Sequence, residues 1–529
     1  MSRWIEEYVQ QTTATHKRHI LLQDRDGLMA HPELCWAFEQ RGYALFSGDT
    51  HWKVRVEYEL RIRDSTHPII LLVPVGYKPL PDMAATTHSV EVGLRELFPF
   101  LDASVLQGLS APDLTTLSAV RHYHRLERDA TLNWLLEHLY TIDADSLKIS
   151  PTRNRVARAM QQVYEHPTPP NPAVNAYIET LSAPYRVAFD ELLKQITGWL
   201  DKPAVTPDAW FEQISVLSQA IRWAMTWPGN TFIGRLTGVV TLLNNQFQSY
   251  LDQHYESLFS LSAVKRPAVV SRVLDHLRAQ SDQKIALIVI DGMNVWQGQL
   301  LTEALTASSL RPIAGATMAY IPTITAWSRQ ALFRGNRPDL TTDNRKEGNG
   351  FKDYWTNTGL QPNQVLYDTF SNAAPFAVSA LPATVTRLGL VCNDLDNLMH
   401  GMLLGNDQLE QVTQQWIKTG PMLPLLASLK QAGFTCYLTA DHGNLEATGI
   451  KNLKLTEKTG ALSRSKRHIQ FLNTVLRDSF VEQNPQLSLG IRDRSVYLRD
   501  TSAFTTKSQT VVTHGGSHFW EVIVPFIKL

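Results

Sequence analysis

Three textures of apolar and polar positions follow one another along the chain. Up to about residue 101, short apolar runs at 20–22, 43–46 and 69–75 alternate with helical periods at 32–41 and 51–63. Apolar runs separated by helices predict a small, mostly parallel α/β unit. From about 102 to 280 the pattern is helical. Ser110 ahead of Pro112 and Asp113, and Thr206 ahead of Pro207 and Asp208, carry the hydroxyl and early proline of helix starts. Ile214, Leu217, Ile221 and Met225 recur at spacings of three and four and share one helix face. Four prolines within residues 166–172 give the clearest linker signal. From about 281 onward strands and helices alternate again. The expected organisation is an α/β protein with a small α/β domain (1–101), a helical domain (102–280) and a larger α/β domain with a doubly wound sheet (281–529).

The last region places polar residues where its strands should end. Residues 285–290 are six apolar positions, then Asp291-Gly292-Met293-Asn294. A continuous, β-branched run suits a central parallel strand, and ligand groups gather at the carboxyl ends of such strands. A strand at 316–321 precedes Pro322-Thr323-Ile324-Thr325, and helical character follows to Gly335. Thr325 then opens a helix, where amide donors favour an anion, or it simply caps that helix. After an apolar run at 388–392, Asp396 and His400 lie four apart and point the same way on a helix. Asp441-His442 follows the strand at 434–439, and His514-Gly515-Gly516-Ser517-His518 precedes the apolar 522–525. His518 is a rival to His514 as a ligand, with packing or solvent as its alternative. Each motif alone also reads as a turn or a cap. Together they offer three aspartates, three histidines and a threonine. Oxygen and imidazole donors without cysteine suit catalytic zinc, with manganese as the alternative, and seven ligands divide between two metals.

Composition narrows the class. The 529 residues carry 50 Lys+Arg and 50 Asp+Glu, are 43% hydrophobic and 19% charged, and so have no net formal charge. That excludes global disorder and a polybasic chain that grips nucleic acid by bulk electrostatics. Cys35, Cys392 and Cys436 are too few and too scattered for a disulfide framework or a zinc knuckle, so a reducing, cytoplasmic setting is expected. The first residues mix acid and base where a signal peptide needs an apolar stretch, and no apolar run of about 18 residues predicts a membrane span. His122 and His124 are two apart and read as surface groups rather than a metal pair. Asp24 and Asp26 read as turn residues.

The stretches IVIDGMN, IPTITAWSRQALFRG, NDLDNLMHG, TADHGN and THGGSHFWEVIVPF, in this order, resemble the alkaline phosphatase superfamily and more closely the PglZ domain. LRELFPFLDASVLQGLSAPDLTTL resembles the region that precedes that domain in phage-defence PglZ proteins. The resemblance implies an alkaline-phosphatase-like sheet in the last domain. It implies Thr325 as nucleophile and ligand of one metal together with Asp291, Asp441 and His442. Asp396, His400 and His514 would hold the second metal. Thr323 is the rival nucleophile. No CxPxR motif of the sulfatase branch is present. Asn294 and Arg329 are expected near a phosphoryl oxygen, with an acid partner as the alternative for Arg329. Lys451, Lys454, Lys458, Arg464, Lys466 and Arg467 face only Glu457 between residues 449 and 467. Arg464 and Arg467 could grip a nucleotide or polynucleotide phosphate, and a solvated loop is the plain alternative.

The expected function is a two-metal phosphohydrolase, a phosphodiesterase in a bacteriophage-exclusion (BREX-type) defence system. Its expected partners are other subunits of that system, a phosphodiester or nucleotide substrate and a contact to nucleic acid, with no membrane. A non-catalytic scaffold subunit and a phosphomutase of the same superfamily are the alternatives.

Overall fold

The alternating runs near the N-terminus pair into one sheet. Its strands are β1 (His19–Asp24), β2 (Ala44–Ser47), β3 (Ile69–Val73) and β4 (Thr87–Val92). They lie in the order β2-β3-β1-β4 and every pair is parallel. Sequence periodicity did not single out β4, whose Thr-His-Ser-Val-Glu-Val carries too little apolar signal. The period at 51–63 becomes a helix, His51–Glu57, that continues as a π turn, Tyr58–Ile62. The computed structural model describes residues 2–120, 124–340, 346–400, 405–450 and 461–529, the side chains of Asn230, Thr231, His400, Asp407 and Arg464 excepted. It falls into two units, residues 1–188 and 189–529.

Beyond its sheet the first unit is helical. Ser110 and Asp113 form a reciprocal cap on the helix Ala111–Ser118, as the serine-proline signal implies. The proline-rich stretch expected as a linker is packed instead. Asn171 is fully buried and donates to the carbonyls of Val105 (2.9 Å) and Gln107 (3.1 Å), and Thr168 donates to Asp113. Polar side chains that bond backbone carbonyls fix a proline-rich segment as well as apolar burial does.

The second unit is built on a six-stranded mixed sheet. Its strands are β5 (Ile285–Ile290), β6 (Ile313–Met318), β7 (Val365–Phe370), β8 (Arg387–Cys392) and β9 (Thr435–Thr439). Seven strands outside the large sheet follow: β10 (Leu445–Gly449), β11 (Ala461–Arg464), β12 (His468–Phe471), β13 (Leu489–Arg492), β14 (Ser495–Leu498), β15 (Ser502–Ala503) and β16 (Thr510–Thr513). The last is β17 (Ile523–Lys528). The large sheet has the order β6-β17-β9-β5-β8-β7. β7, β8, β5 and β9 run parallel, and β17 runs antiparallel to both β9 and β6. All six residues of β5 are buried, as a central strand covered on both faces requires. β10, β15 and β16 form one small sheet, and β11 to β14 another. Thr206 caps the helix Pro207–Thr226, and Ile214 and Leu217 face its core. Among the described residues no helix is long and apolar enough to cross a membrane.

Two buried histidines make this unit acid-sensitive. Burial pushes His468, whose ring edge meets Trp327, down to about 3. Burial and then the Arg467 charge lower His518. The unfolded chain titrates such groups near 6.5, so below that pH it binds more protons than the fold. Their contribution is complete above about pH 7 and is lost as pH falls through 6.5, at up to about 1.4 kcal/mol per pH unit per group. Urea denaturation at pH 7.5 and 5.5 checks this. A smaller difference in a His468→Leu chain is the expected control.

Candidate active site

The chemistry-bearing side chains meet beyond the carboxyl ends of β5, β8 and β9. Asp291 follows β5 directly and is 3% exposed. Gly292 has φ 75°, and a Cβ there would sit 3.4 Å from Asp396 Oδ1. Glycine therefore lets the chain turn and leaves room for the carboxylate from the helix after β8. That helix is Asp394–His400. Asp441 and His442 follow β9, both fully buried. Asp441 Oδ1 accepts the amides of Gly292 (3.3 Å) and His442 (3.0 Å), tying the β5 and β9 loops together.

Thr325 opens the helix Thr325–Arg334, which ends at left-handed Gly335, as its sequence signals imply. Its Oγ1 lies 2.9 Å from His442 Nε2. The other nitrogen of that ring, Nδ1, is 2.9 Å from the Gly443 carbonyl and donates to it. This fixes the tautomer and makes Nε2 the lone-pair atom. His514 is arranged alike. Its Nδ1 donates to the Thr323 carbonyl at 2.8 Å, and its Nε2 is 3.8 Å from Asp396 Oδ1. The two imidazoles stack with centroids 3.8 Å apart.

Two donor triads result, Asp291/Asp441/His442 and Asp396/His442/His514, each with its atoms within 4.8 Å of one another. Six of the expected site residues thus converge: Asp291, Thr325, Asp396, Asp441, His442 and His514. The side chain of His400 lies outside the described residues, as do that of Arg464 and the whole of Lys451, Lys454, Glu457, Lys458 and His122. His124 is exposed.

The remaining expected residues take other duties. Asn294 is 1% exposed. It caps the helix Val295–Ala307 reciprocally with Gln297 and donates to Asn444 Oδ1 at 3.1 Å, so its amide is spent inside the fold rather than on a phosphoryl oxygen. Arg329 takes the acid-partner alternative. It reaches Asp291 Oδ2 (2.5 Å), Asn393 Oδ1 (2.6 Å), Glu347 Oε1 (3.2 Å) and Asp441 Oδ2 (3.3 Å). Arg467 is fully buried against Glu521 and three carbonyls, so it presents no charge to a substrate. The Thr323 hydroxyl donates to the Gly516 carbonyl and accepts the Gly515 amide, both at 3.0 Å. It therefore clamps the His514 loop. His518 packs inside, with Nδ1 accepting from the Trp520 amide.

Sequence reasoning missed several supporting residues. Glu521 accepts the amides of Gly516 and His518. Its position three residues after His518 is a capping-box spacing that could have flagged it. Ser328 donates to the Asp441 carbonyl and accepts from the Tyr320 amide. Glu347 and Tyr367 close the far side of Arg329, and no local signal marks them.

The electrostatics favour a cation. Burial, then Asp291, drives Asp441 well above the usual carboxylate range, and Arg329 only partly opposes this. Burial alone would lower Arg329, but Asp291, Asp441 and Glu347 outweigh it and hold the guanidinium protonated. One guanidinium faces three carboxylates. Asp291 Oδ1 is buried and accepts no hydrogen bond. With both Nε2 atoms turned inward, this donor set fits divalent cations.

Residues 269–529 match the family model of the BREX system PglZ alkaline phosphatase-like domain. These residues are a PglZ domain. The match describes this part of the chain as an alkaline phosphatase-like domain of the kind found in the BREX defence system. No curated protein matches the chain. Similar solved structures include human ectonucleotide pyrophosphatase/phosphodiesterase 5, 12% identical over 46% of this chain and 87% of that one, with a TM-score of 0.32. The murine protein of the same name is 10% identical over 46% of this chain and 88% of its own, at 0.33. Phosphonoacetate hydrolase from Sinorhizobium meliloti is 11% identical over 46% and 89%, at 0.32.

Proposed function

We propose that the PglZ domain hydrolyses a phosphate ester, specifically a phosphodiester, with Thr325 as nucleophile and two divalent metals, zinc before manganese, as cofactors. The observation that carries this is the Thr325 hydroxyl beside Nε2 of His442, the residue common to both donor triads. Asp291, Thr325, Asp441 and His442 would hold one ion, and Asp396, His514 and His400 the other. When bound, such ions lower the pKa of a coordinated hydroxyl and offset charge on a phosphoryl group.

The chain's own residues do the rest. The Thr325 helix presents its N-terminal amides to the phosphoryl oxygens. Thr325 Oγ1 forms the bond to phosphorus as the bond to the leaving alcohol breaks. Water then attacks phospho-Thr325, releases the second product and restores the hydroxyl. Arg329 holds Asp291 and Asp441 in orientation through their Oδ2 atoms. The partners under this reading are other subunits of the defence assembly and a nucleotide or polynucleotide in the cytoplasm.

Elemental analysis of the purified chain, with mono- and diester substrates screened on the same sample, tests the proposal. Removing the metal with a chelator should abolish hydrolysis and lower thermal stability, because uncompensated carboxylates then remain buried together. Added zinc or manganese should restore both. A metal-replete chain with no turnover on any ester would favour the scaffold alternative. Return of a phosphorylated isomer with no free phosphate would favour the mutase.

A further inference from the structure

The helix Thr231–Leu258 supplies none of the donors at the Thr325 site, yet one of its faces holds two of the loops that build it. Asn244, Gln248, Asp252 and Tyr255 recur at spacings of four and three and share that face. Gln248 is buried, and all four hydrogen-bonding positions of its amide are used. Nε2 donates to the Ser517 carbonyl (2.8 Å) and to Asn244 Oδ1 (3.2 Å). Oε1 accepts from the Ser517 hydroxyl (2.8 Å) and from Arg499 Nε (3.1 Å). Asn244 Oδ1 also accepts the Phe519 amide at 3.4 Å, and Arg499 pairs with Asp252 at 2.7 Å. This part of the helix grips the loop that carries His514.

Two helical turns further on, a rise of about 10 Å, Tyr255 grips the loop that leads to Thr325. Its buried hydroxyl donates to the Ala319 carbonyl (3.1 Å) and accepts the Ile321 amide (2.8 Å). The two loops are also tied to each other. The Thr323 hydroxyl bonds Gly515 and Gly516, and the Thr323 carbonyl accepts from His514 Nδ1. The contacts close a ring that runs from Tyr255 through Ile321, Thr323, Gly516 and Ser517 to Gln248 and back along the helix. A buried amide with every position paired tolerates little displacement of its partners.

We propose that this helix is the common baseline that sets the Thr325 loop and the His514 loop at one separation, with Gln248 and Tyr255 as positioning residues of the metal-holding site. The inference rests on the metal reading above and deepens it. Thr325 stands beside His442 on one donor triad, and His514 belongs to the other. The separation of their loops therefore decides whether both sets of donors close around ions together. A helix resists stretching because its hydrogen-bond ladder fixes the rise of each residue. Because Thr323 links the loops, loss of one grip leaves both loops held through the other. Loss of both grips frees them.

The test reads the zinc affinity of the full chain by competition with a colorimetric chelator, so it needs no ester to be turned over. Tyr255→Phe removes only the hydroxyl, because the ring keeps Arg492 at 5.2 Å and Phe259 at 5.3 Å. Gln248→Met keeps the length of the side chain and removes its amide bonds to Ser517, Arg499 and Asn244. Each single change should weaken zinc binding by no more than about tenfold, the scale of one net hydrogen bond. The double change should weaken it by well over the product of the two. Separate sites that act independently multiply within about twofold. A double effect within that span of the product overturns the proposal, as does unchanged affinity in all three chains. Hydrogen exchange on the unaltered chain supplies the answer if the double variant fails to fold. Linkage requires that a brace which strengthens zinc binding be strengthened by zinc in turn. Zinc should therefore slow the helix amides of 249–255, none of which lies in the site, by at least about threefold. Slowing confined to the two loops overturns the proposal. Absence of zinc binding by the unaltered chain would overturn the metal reading together with this one, whereas zinc binding with independent changes overturns this one alone.

Discussion

Thr325→Ala is expected to abolish ester hydrolysis while the chain keeps its metal. The hydroxyl is one donor among four at its proposed site, and Asp291, Asp441 and His442 remain to hold the ion. Alanine at the first position of a helix does not disturb Thr325–Arg334, because it is the strongest helix former. Within the fold the change removes the hydrogen bond to His442 Nε2 and little else. Loss of a nucleophile, by contrast, removes the bond-forming atom, and such losses reduce kcat by about 10³-fold or more. Steady-state hydrolysis and metal content measured on one preparation separate the two effects. Thr325→Ser keeps a hydroxyl and should keep turnover within about tenfold, a span of roughly 1.4 kcal/mol. Full activity of the alanine chain under metal-replete conditions would sink the assignment. Thr323→Val is the contrasting case. Its hydroxyl holds Gly515 and Gly516, so this change should lower activity together with stability.

The main axis of the site was legible because each of its strands announces itself. β5 is a continuous apolar run that ends on Asp291, and β9 ends just before Asp441 and His442. The Thr325 helix carried both its start and its glycine stop in the local sequence. Those signals depend on neighbours within a few positions. The duties of Asn294, Arg329 and Arg467 depend on residues far along the chain. Arg329 meets Asp441 over 112 positions and Asp291 over 38. Nothing near Arg329 distinguishes a guanidinium that meets substrate from one that orients carboxylates. The Asn294 spacing to Gln297 was a readable cap, and a polar residue after a strand can cap as well as bind. The small sheets were not legible for a different reason. β15 has only two residues, and β10 (Leu-Glu-Ala-Thr-Gly) buries only alternate positions and holds no continuous apolar run.

Breaking the Arg467–Glu521 pair should be among the most destabilising single changes in the second unit. Both side chains are fully buried, with Nε to Oε1 at 2.9 Å and the second arm of the fork at 3.0 Å. Arg467 also donates to the carbonyls of Leu498, Asp500 and Ser502. Glu521 accepts the amides of Gly516 and His518. Removing one partner leaves the other charge buried without compensation, which costs about 3–5 kcal/mol. Arg467→Met and Glu521→Gln are each expected to fall in that range by urea denaturation. The double change should cost less than the sum, because neither charge then remains. The activity readout separates this role from the substrate contact that sequence alone suggested for Arg467. A phosphate-binding arginine would raise KM in a salt-dependent way and leave stability alone. A residue that braces the loop from Gly516 to Glu521 moves His514, two positions before Gly516, and so lowers metal occupancy and kcat together. Single changes that shift stability by less than about 0.5 kcal/mol, the level of an ordinary surface substitution, would show that the pair does not hold this loop.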